Sequence, residues 1–143
     1  MSTEENKSIA RRLREGFDKS KGAVGFEEYV APDVVFHFPG SPPLNREQIS
    51  GMNAMFYAAF PNLHHVFEDQ IAEGDKVVTR VTLRGTHQGE FQGIPATGKE
   101  IVIGAIFVDR FRDGKLIEHW SQPDMMGMMQ QLGAIPSSGR SES

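Results

Sequence analysis

The sequence contains no cysteine, which excludes disulfide bonds, thiolate zinc sites and cysteine nucleophiles. It also lacks any apolar run that approaches the ~20 residues of a transmembrane helix. The first six residues are polar and acidic, unlike the positively charged start of a secretory signal peptide. We therefore expect a cytoplasmic protein that does not interact with membranes.

Clustered positive charge is also scarce. The net charge is -4, and the only group of basic residues comprises Arg11, Arg12 and Arg14. These arginines lie among acidic residues on a predicted helix, where we expect them to be solvent-exposed. A nucleic-acid-binding protein needs a basic stripe, so we predict no nucleic-acid partner.

The sequence has no spacing of ligands that is typical of a metal site, and no phosphate-binding loop. His64 and His65 are adjacent, so a strand would point them to opposite faces, and we interpret them as structural or exposed. The glycines of the second half are spaced as in turns, not as in a dinucleotide-binding fingerprint; they are Gly85, Gly89, Gly93 and Gly98. We predict neither a metal nor a cofactor.

What the sequence does contain is the composition of one soluble globular domain. It has 143 residues, of which 24% are charged and 38% hydrophobic. We place the domain at residues 1–133 and predict that residues 134–143, rich in Gly, Ser and Pro, form a flexible tail.

Helices precede strands along the chain. Ser2 or Thr3 starts a helix whose apolar stripe is Ile9, Leu13 and Phe17, and a short helix follows over residues 26–30. Asn45, with Gln48 in the capping-box position, starts a third helix. One early strand is predicted at residues 34–38, and later strands at 63–72, 76–87, 101–111 and 116–121. This order predicts an α+β fold, in which helices cover one face of a curved, mainly antiparallel sheet and leave an internal apolar pocket.

The last two strands form the best-defined hairpin. Asp113-Gly114 supplies the positive φ angles of a type I′ turn between them. The second strand ends with His119, Trp120 and Ser121, and Pro123-Asp124 then opens a Met-rich helix from Met125 to Leu132. The hairpin therefore brings an imidazole, an indole, a hydroxyl and a carboxylate to one strand end, where proton transfer is plausible.

Strand alternation assigns some of these side chains to faces. His119 and Ser121 share one face of the last strand, and Trp120 lies on the other. His119 is either a pocket group that handles protons near neutral pH or a hydrogen-bonded core histidine. Asp124 is either an acid/base that reaches inward or a plain helix cap.

Three further features bear on a possible pocket. His37 lies between Phe36 and Phe38, an arrangement that suggests a cavity lining rather than a dry core. The Met-rich helix is typical of core or dimer packing, although a flat aromatic ligand would also suit its side chains. His87, at a strand end, could form the rim of a pocket.

Several segments taken together resemble a known family. These are APDVVFH (31–37), FPNLH (60–64), EDQIAEGDKVVTR (68–80), RGTHQGEFQGIPATGK (84–99), DGKLIEHW (113–120) and QQLG (130–133). Over residues 5–133 the chain resembles the SnoaL-like polyketide cyclases. The resemblance implies a cone-shaped α+β barrel of the nuclear-transport-factor-2-like type, usually a homodimer. It also implies an aldol ring closure without metal or cofactor, in which one carboxylate acts as general acid/base.

The chain departs from that family at one position. The resemblance places the catalytic aspartate directly after the His-Trp pair, where this chain has Ser121. We therefore predict Asp124 as the substitute acid/base, with His119 and His37 as the other catalytic groups. The predicted substrate-binding residues are Ser121, Phe107, Ala105, Phe36, Met55 and Trp120.

These residues lead to three functional hypotheses. The first is a cofactor-independent cyclase or isomerase that acts on a small hydrophobic, polycyclic ligand. The second, favoured by Ser121 and the apolar strand at Ile103, Ala105 and Phe107, is a non-catalytic or hydroxylase-like binder of a hydrophobic metabolite. The third is a dimeric regulatory scaffold.

Overall fold

A computed structural model describes residues 2–22 and 26–135 of the chain. Its nine elements, in order, are α1 (Thr3–Ser20), α2 (Phe26–Tyr29), β1 (Val30–His37), α3 (Arg46–Ala59), β2 (His64–Glu73), β3 (Lys76–Thr86), β4 (Glu100–Arg112), β5 (Lys115–Pro123) and α4 (Met125–Leu132). The predicted α+β class, with helices first and a meander of strands afterwards, is confirmed. The predicted flexible tail falls largely outside the described residues.

The five strands form one curved sheet in the order β1-β5-β4-β3-β2. Strand β1 runs parallel to β5, and every other pair is antiparallel. The turn between β4 and β5 has φ of 53° at Asp113 and 76° at Gly114, as the Asp-Gly sequence predicts. The mainly antiparallel sheet is therefore confirmed, with one parallel edge strand.

Local sequence chemistry accounts for both long helices. The Ser2 side chain accepts a hydrogen bond from the backbone N–H of Glu5, and the Glu5 carboxylate accepts one from the Ser2 backbone. Asn45 and Gln48 form the same reciprocal pair at the start of α3. Each pair satisfies two backbone donors that the first turn leaves free, so both helices begin where the sequence predicts.

The concave face of the sheet forms the core with the helices. On β3, Val77, Thr79 and Val81 are buried, whereas Arg80 and Arg84 on the opposite face are exposed. Helix α1 packs across β2 and β3, α3 packs on β1, and α4 packs on β4. Two sides of the sheet therefore have different roles, because only the concave side is covered by helices.

Strand β1 is longer than the apolar run predicts, since it begins at Val30 and includes Pro32. An edge strand tolerates proline because its outer N–H groups need no ladder partner. Its pairing with β5 is also irregular between Val30 and Val35.

Within the described part of the chain, no helix combines the length and apolar character that a membrane crossing requires.

Candidate active site

A cavity lies between the concave face of the sheet and helices α1, α3 and α4. It encloses about 890 Å³ of empty space, its open mouth included. Most of its wall is aliphatic or aromatic, and the polar side chains on it are Arg14, Asn53, Tyr57, His65, His119 and Ser121. An apolar cleft with a few convergent polar groups is the usual form of a small-molecule site.

Three buried side chains form the polar end of this cavity. The Nδ1 atom of His119 lies 2.6 Å from Oδ1 of Asp109. The Arg14 guanidinium binds the same carboxylate from α1, with Nη2 3.0 Å from Oδ1 and Nη1 2.9 Å from Oδ2. All three residues are at most 6% exposed at their side chains, so the cluster is shielded from water.

The charges of this cluster determine which nitrogen of His119 carries a proton. Burial by itself would raise the pKa of Asp109, but the charges of Arg14 and His119 and their hydrogen bonds hold it at about 2. The carboxylate is therefore ionised, and a 2.6 Å contact with it requires a proton on His119 Nδ1. Arg14 Nη2 also lies 3.1 Å from Nδ1, but an Nδ1–H cannot accept its proton, so Arg14 donates to Asp109. The Nε2 atom of His119 is then a bare acceptor on the cavity wall.

His119 is neutral around pH 7. Burial lowers the pKa of its imidazole, and the charge of Arg14 lowers it further, although Asp109 opposes both effects. An imidazole held in one tautomer by a carboxylate, with its second nitrogen unprotonated, has the form of a general base.

Arg14 corrects one of our predictions. We expected it on a solvated helix face with Arg11 and Arg12, but its side chain is buried and its guanidinium lies 4.6 Å from the Phe107 ring centroid. The missed signal is helical spacing, because Arg14 follows the buried Ala10 by four residues and donates to its carbonyl.

Asp109 is also a functional residue that our sequence reasoning missed. We placed Ile103, Ala105 and Phe107 on the inward face of β4 and described that face as apolar. The same alternation continues to Asp109, which is fully buried. A carboxylate at an inward position needs buried partners, and this requirement was the available signal.

A second histidine–carboxylate pair lies beside the cavity, with His65 of β2 on the wall and Asp18 of α1 hydrogen-bonded to it. Asp18 accepts hydrogen bonds from His65 Nδ1 at 2.9 Å, from the His65 backbone N–H at 2.8 Å and from the Tyr57 hydroxyl at 2.7 Å. His64 and His65 point to opposite faces, as predicted. His65, however, lines the cavity, and sequence reasoning did not assign it a role.

Phe107 lies between the two histidines. Its ring centroid is 5.3 Å from that of His119 and 5.9 Å from that of His65. Phe36 of β1 and Phe38, which directly follows that strand, lie 5.1 and 6.1 Å from His119 between ring centroids. Aromatic rings thus form much of the wall around the polar end of the cavity.

Four of the predicted site residues line the cavity: His119, Ser121, Phe107 and Phe36. Ser121 lies opposite Phe107 in the β4–β5 ladder, two residues after His119 and on the same face. Ala105 is buried beside Phe107 and Val81 but does not reach the cavity wall. Alternation along β1, β4 and β5 correctly groups these inward residues.

His37 and Trp120 lie on the opposite face of the sheet. They are paired in the β1–β5 ladder, their rings stack with centroids 5.2 Å apart, and His37 Nε2 lies 2.8 Å from Glu118 Oε2. The structure therefore does not bring His37 and Trp120 to the cavity, because Phe36 and His119 occupy the inward positions of the same strands.

Asp124 and Met55 also lie away from the cavity wall. Asp124 is exposed and caps α4, accepting a hydrogen bond from the Gly127 N–H at 2.9 Å. The Asp124 carboxylate therefore caps the first turn of α4, and we withdraw Asp124 as the acid/base. Met55 is 40% exposed, while Met52 and Phe56 of the same helix line the cavity.

His87 and the Met-rich helix are the remaining candidates from the sequence. His87 is fully buried, and its Nδ1 accepts a hydrogen bond from the Thr97 backbone N–H at 3.2 Å. In the Met-rich helix, Met125 and Met128 line the cavity and Met126 is exposed. Among the described residues, no three histidine or carboxylate side chains are grouped as metal ligands.

Comparison with known proteins shows similarity across almost the whole chain. A family model described as SnoaL-like polyketide cyclase matches residues 7–132. Aklanonic acid methyl ester cyclase DnrD of Streptomyces peucetius is 31% identical over 87% of this chain and 88% of its own length. Nogalonic acid methyl ester cyclase of Streptomyces nogalater is 26% identical over 74% of this chain and 78% of its own length.

Solved structures are similar over the same range. AclR, a proposed hydroxylase from Streptomyces galilaeus, has a TM-score of 0.88 at 27% identity, covering 97% of this chain and 87% of that one. IdmH, a proposed polyketide cyclase from Streptomyces antibioticus, has a TM-score of 0.80 at 34% identity, covering 90% of this chain and 98% of that one.

Proposed function

Because the chain belongs to the SnoaL-like polyketide cyclase family, we propose that it closes a ring in a polyketide-derived keto ester, with His119 as the general base. The observation that carries the proposal is the His119–Asp109 pair at the polar end of an apolar cavity. The relatives named as methyl ester cyclases support this class of substrate.

The first step removes a proton from a carbon next to two carbonyl groups. The Nε2 lone pair of His119 takes the proton, and the C–H bonding electrons move onto the carbonyl oxygen to form an enolate. Asp109 stabilises the imidazolium that results, because the carboxylate already accepts the Nδ1 proton. Arg14 keeps Asp109 ionised, and is in that sense a positioning residue.

The second step forms the ring. The enolate carbon attacks a carbonyl carbon elsewhere in the same molecule, and the electrons of that C=O bond move to its oxygen. The new alkoxide takes the proton back from His119 Nε2, so the product is an isomer of the substrate. This sequence moves only protons and carbon electrons, and no redox cofactor enters its balance.

Two features of the cavity support such a reaction. The Ser121 hydroxyl lies on the same face as His119 and can donate a hydrogen bond to the enolate oxygen. Aromatic walls hold a folded substrate so that carbon and carbonyl approach each other, which supplies part of the rate acceleration.

The test is substitution of the proposed base. His119→Gln keeps an N–H that can reach Asp109 but lacks a basic nitrogen, so we expect kcat to fall about 10²- to 10⁴-fold. Turnover would be measured on polyketide keto methyl esters, with mass-neutral ring closure followed by chromatography and NMR.

Two control variants accompany it. His37→Gln makes the same exchange on the outer face, and Asp124→Asn keeps an acceptor at the α4 cap, so both should retain the activity of the original protein. If His119→Gln turns over normally, His119 is not the base. If Asp124→Asn is the inactive variant, our withdrawal of Asp124 is wrong.

A second candidate function is binding without ring closure. It is favoured by Ser121, which stands where the family resemblance places the catalytic aspartate, and by the similarity to a proposed hydroxylase. Neither Asp18 nor Asp109 lines the cavity, so no carboxylate of these two pairs touches a ligand directly. This alternative would be favoured if the original protein and His119→Gln both bind keto esters tightly and both leave them unchanged.

A further inference from the structure

The cavity has a second imidazole that the proposed ring closure does not use. We propose that His65 is a substrate-contacting residue whose Nε2 accepts a hydrogen bond from a phenol or enol hydroxyl of the ligand. The proposal rests on the proposed function only in placing the substrate in this cavity. It specifies the substrate class further, as a hydroxylated aromatic compound.

The hydrogen bonds of Asp18 leave His65 Nε2 as an acceptor. Burial by itself would raise the pKa of Asp18, but hydrogen bonds from His65 and Tyr57 and the charge of His65 lower it, so the carboxylate is ionised. His65 Nδ1, 2.9 Å from this carboxylate, must therefore carry the proton. Among the described residues, the hydrogen bond to the His65 ring is made through Nδ1, which leaves Nε2 to a ligand.

His65 is rigidly held and faces the ligand space. Asp18 anchors both its ring and its backbone N–H, and its side chain is only 10% exposed. Its ring lies 6.3 Å from that of Phe67 and 5.9 Å from that of Phe107, between centroids. The Tyr57 hydroxyl donates its proton to Asp18, and His65 Nε2 remains available as an acceptor for a ligand.

The charges around His65 select a neutral donor. Burial lowers the pKa of His65, and nearby Arg14 lowers it further against the opposing effect of Asp18, so the imidazole is neutral at pH 7. A ligand carboxylate has no proton to offer a bare nitrogen. A phenol or enol hydroxyl supplies the proton on a planar group that suits the aromatic wall.

Two acceptors in one cavity imply a particular ligand. His119 Nε2 receives a proton from carbon in the proposed reaction, and His65 Nε2, across Phe107, holds a hydroxyl in place. A ligand with an activated carbon and a phenolic or enolic hydroxyl on a flat ring system satisfies both. Methylation of that hydroxyl removes the donor and leaves the buried nitrogen unpaired, which costs affinity.

The experiment compares two probes that differ in this hydroxyl, 2-naphthol and 2-methoxynaphthalene. Fluorescence titration should show that the original protein binds 2-naphthol about tenfold more tightly. In His65→Phe, which keeps an aromatic ring but has no acceptor, the preference should fall to about twofold or less. The matched control is His64→Phe, since His64 is exposed on the outer face, and it should keep the full preference.

Nitrogen NMR of the unsubstituted protein keeps the test decisive if His65→Phe fails to fold. The Nε2 resonance of His65 should move when 2-naphthol is added and stay in place with 2-methoxynaphthalene. A stationary resonance, no binding of 2-naphthol, or a preference that survives in His65→Phe would each overturn the proposal. None of these readouts depends on turnover, so a failure of the proposed cyclase activity would be recognised separately.

Discussion

At the residue scale, two carboxylates, the half-buried Asp18 and the fully buried Asp109, determine the chemistry of this cavity. Asp18 and Asp109 are both ionised because each meets donors at short distance, and each fixes the Nδ1–H tautomer of one histidine. Neither carboxylate lines the cavity itself. The cavity wall therefore carries two neutral imidazoles, beside the Arg14 guanidinium and the hydroxyl groups of Tyr57 and Ser121.

The pH dependence of activity follows from the lowered pKa of His119. Only the neutral imidazole can accept a proton, so we expect kcat/KM to be constant at and above neutral pH. On the acid side it should fall about tenfold per pH unit, with an inflection below the ordinary histidine value of 6.5. Initial rates measured from pH 4.5 to 8 (about the range that brackets this titration) check the profile.

Folding must be monitored in the same samples. His65 and His119 have lowered pKa values in the folded protein, so the unfolded chain binds more protons below 6.5 and stability declines as the pH falls. Asp109 keeps a pKa of about 2, so its ion pair with Arg14 persists through this range. Circular dichroism should therefore show folded protein where activity is already lost, and an inflection above 6.5 would contradict the assignment of His119.

At the scale of the element, helix α1 supplies both charges on which the two histidines depend. Arg14 and Asp18 are one helical turn apart, so they lie on the same face of α1 and point toward the sheet. Arg14 binds Asp109 of β4, and Asp18 binds His65 of β2. The position of α1 thus determines the state of both imidazoles.

Gly16 of α1 offers a test of how far this helix can be stabilised. A Cβ at Gly16 would meet nothing within 4 Å, so Gly16→Ala should raise the free energy of unfolding by about 0.5–1 kcal/mol. Urea denaturation followed by circular dichroism measures the change.

Gly127 of α4 provides the contrasting control. A Cβ there would collide with the carboxylate of Asp124, which caps the same helix. Gly127→Ala should therefore give no such gain, because the collision displaces the cap. Equal stabilisation by both substitutions would show that Asp124 does not hold the cap position described above.

At the scale of the whole molecule, the two faces of the sheet differ in what covers them. Helices cover the concave face, but the convex face exposes Ile71 (63% exposed), Ile106 (45%), Val102 and Val66. The strand registers place all four on this one side. We propose that a second copy of the chain covers this face, which would give the homodimer that the sequence resemblance implies.

Light scattering tests this proposal. The monomer mass is 15.9 kDa, and we expect the protein to have twice that mass in solution. Ile106→Glu places a charge on the convex face and should yield monomers, whereas Met126→Glu, at an exposed position on α4, should not. A monomeric original protein, or a dimer that survives Ile106→Glu, would contradict the proposed interface.

The sequence by itself determined the elements and their local chemistry. Ser2, Asn45 and the Asp113-Gly114 turn act on neighbouring backbone groups, so their effects do not depend on distant residues. Alternation likewise placed His119 and Ser121 on one face. It could have placed Asp109 with Phe107 as well, had it been continued two residues further.

Only the tertiary structure decided which face is inward and which charged groups meet. Strand alternation puts Phe36 and His37 on opposite faces of β1 but does not say which face is inward. The packing of α1 and α3 over one side of the sheet made Phe36 the inward residue. Arg14 and Asp109 are 95 residues apart, and no local pattern indicates that they form an ion pair. The physical reason is that periodicity describes one element at a time, whereas burial and charge pairing depend on how separate elements pack together.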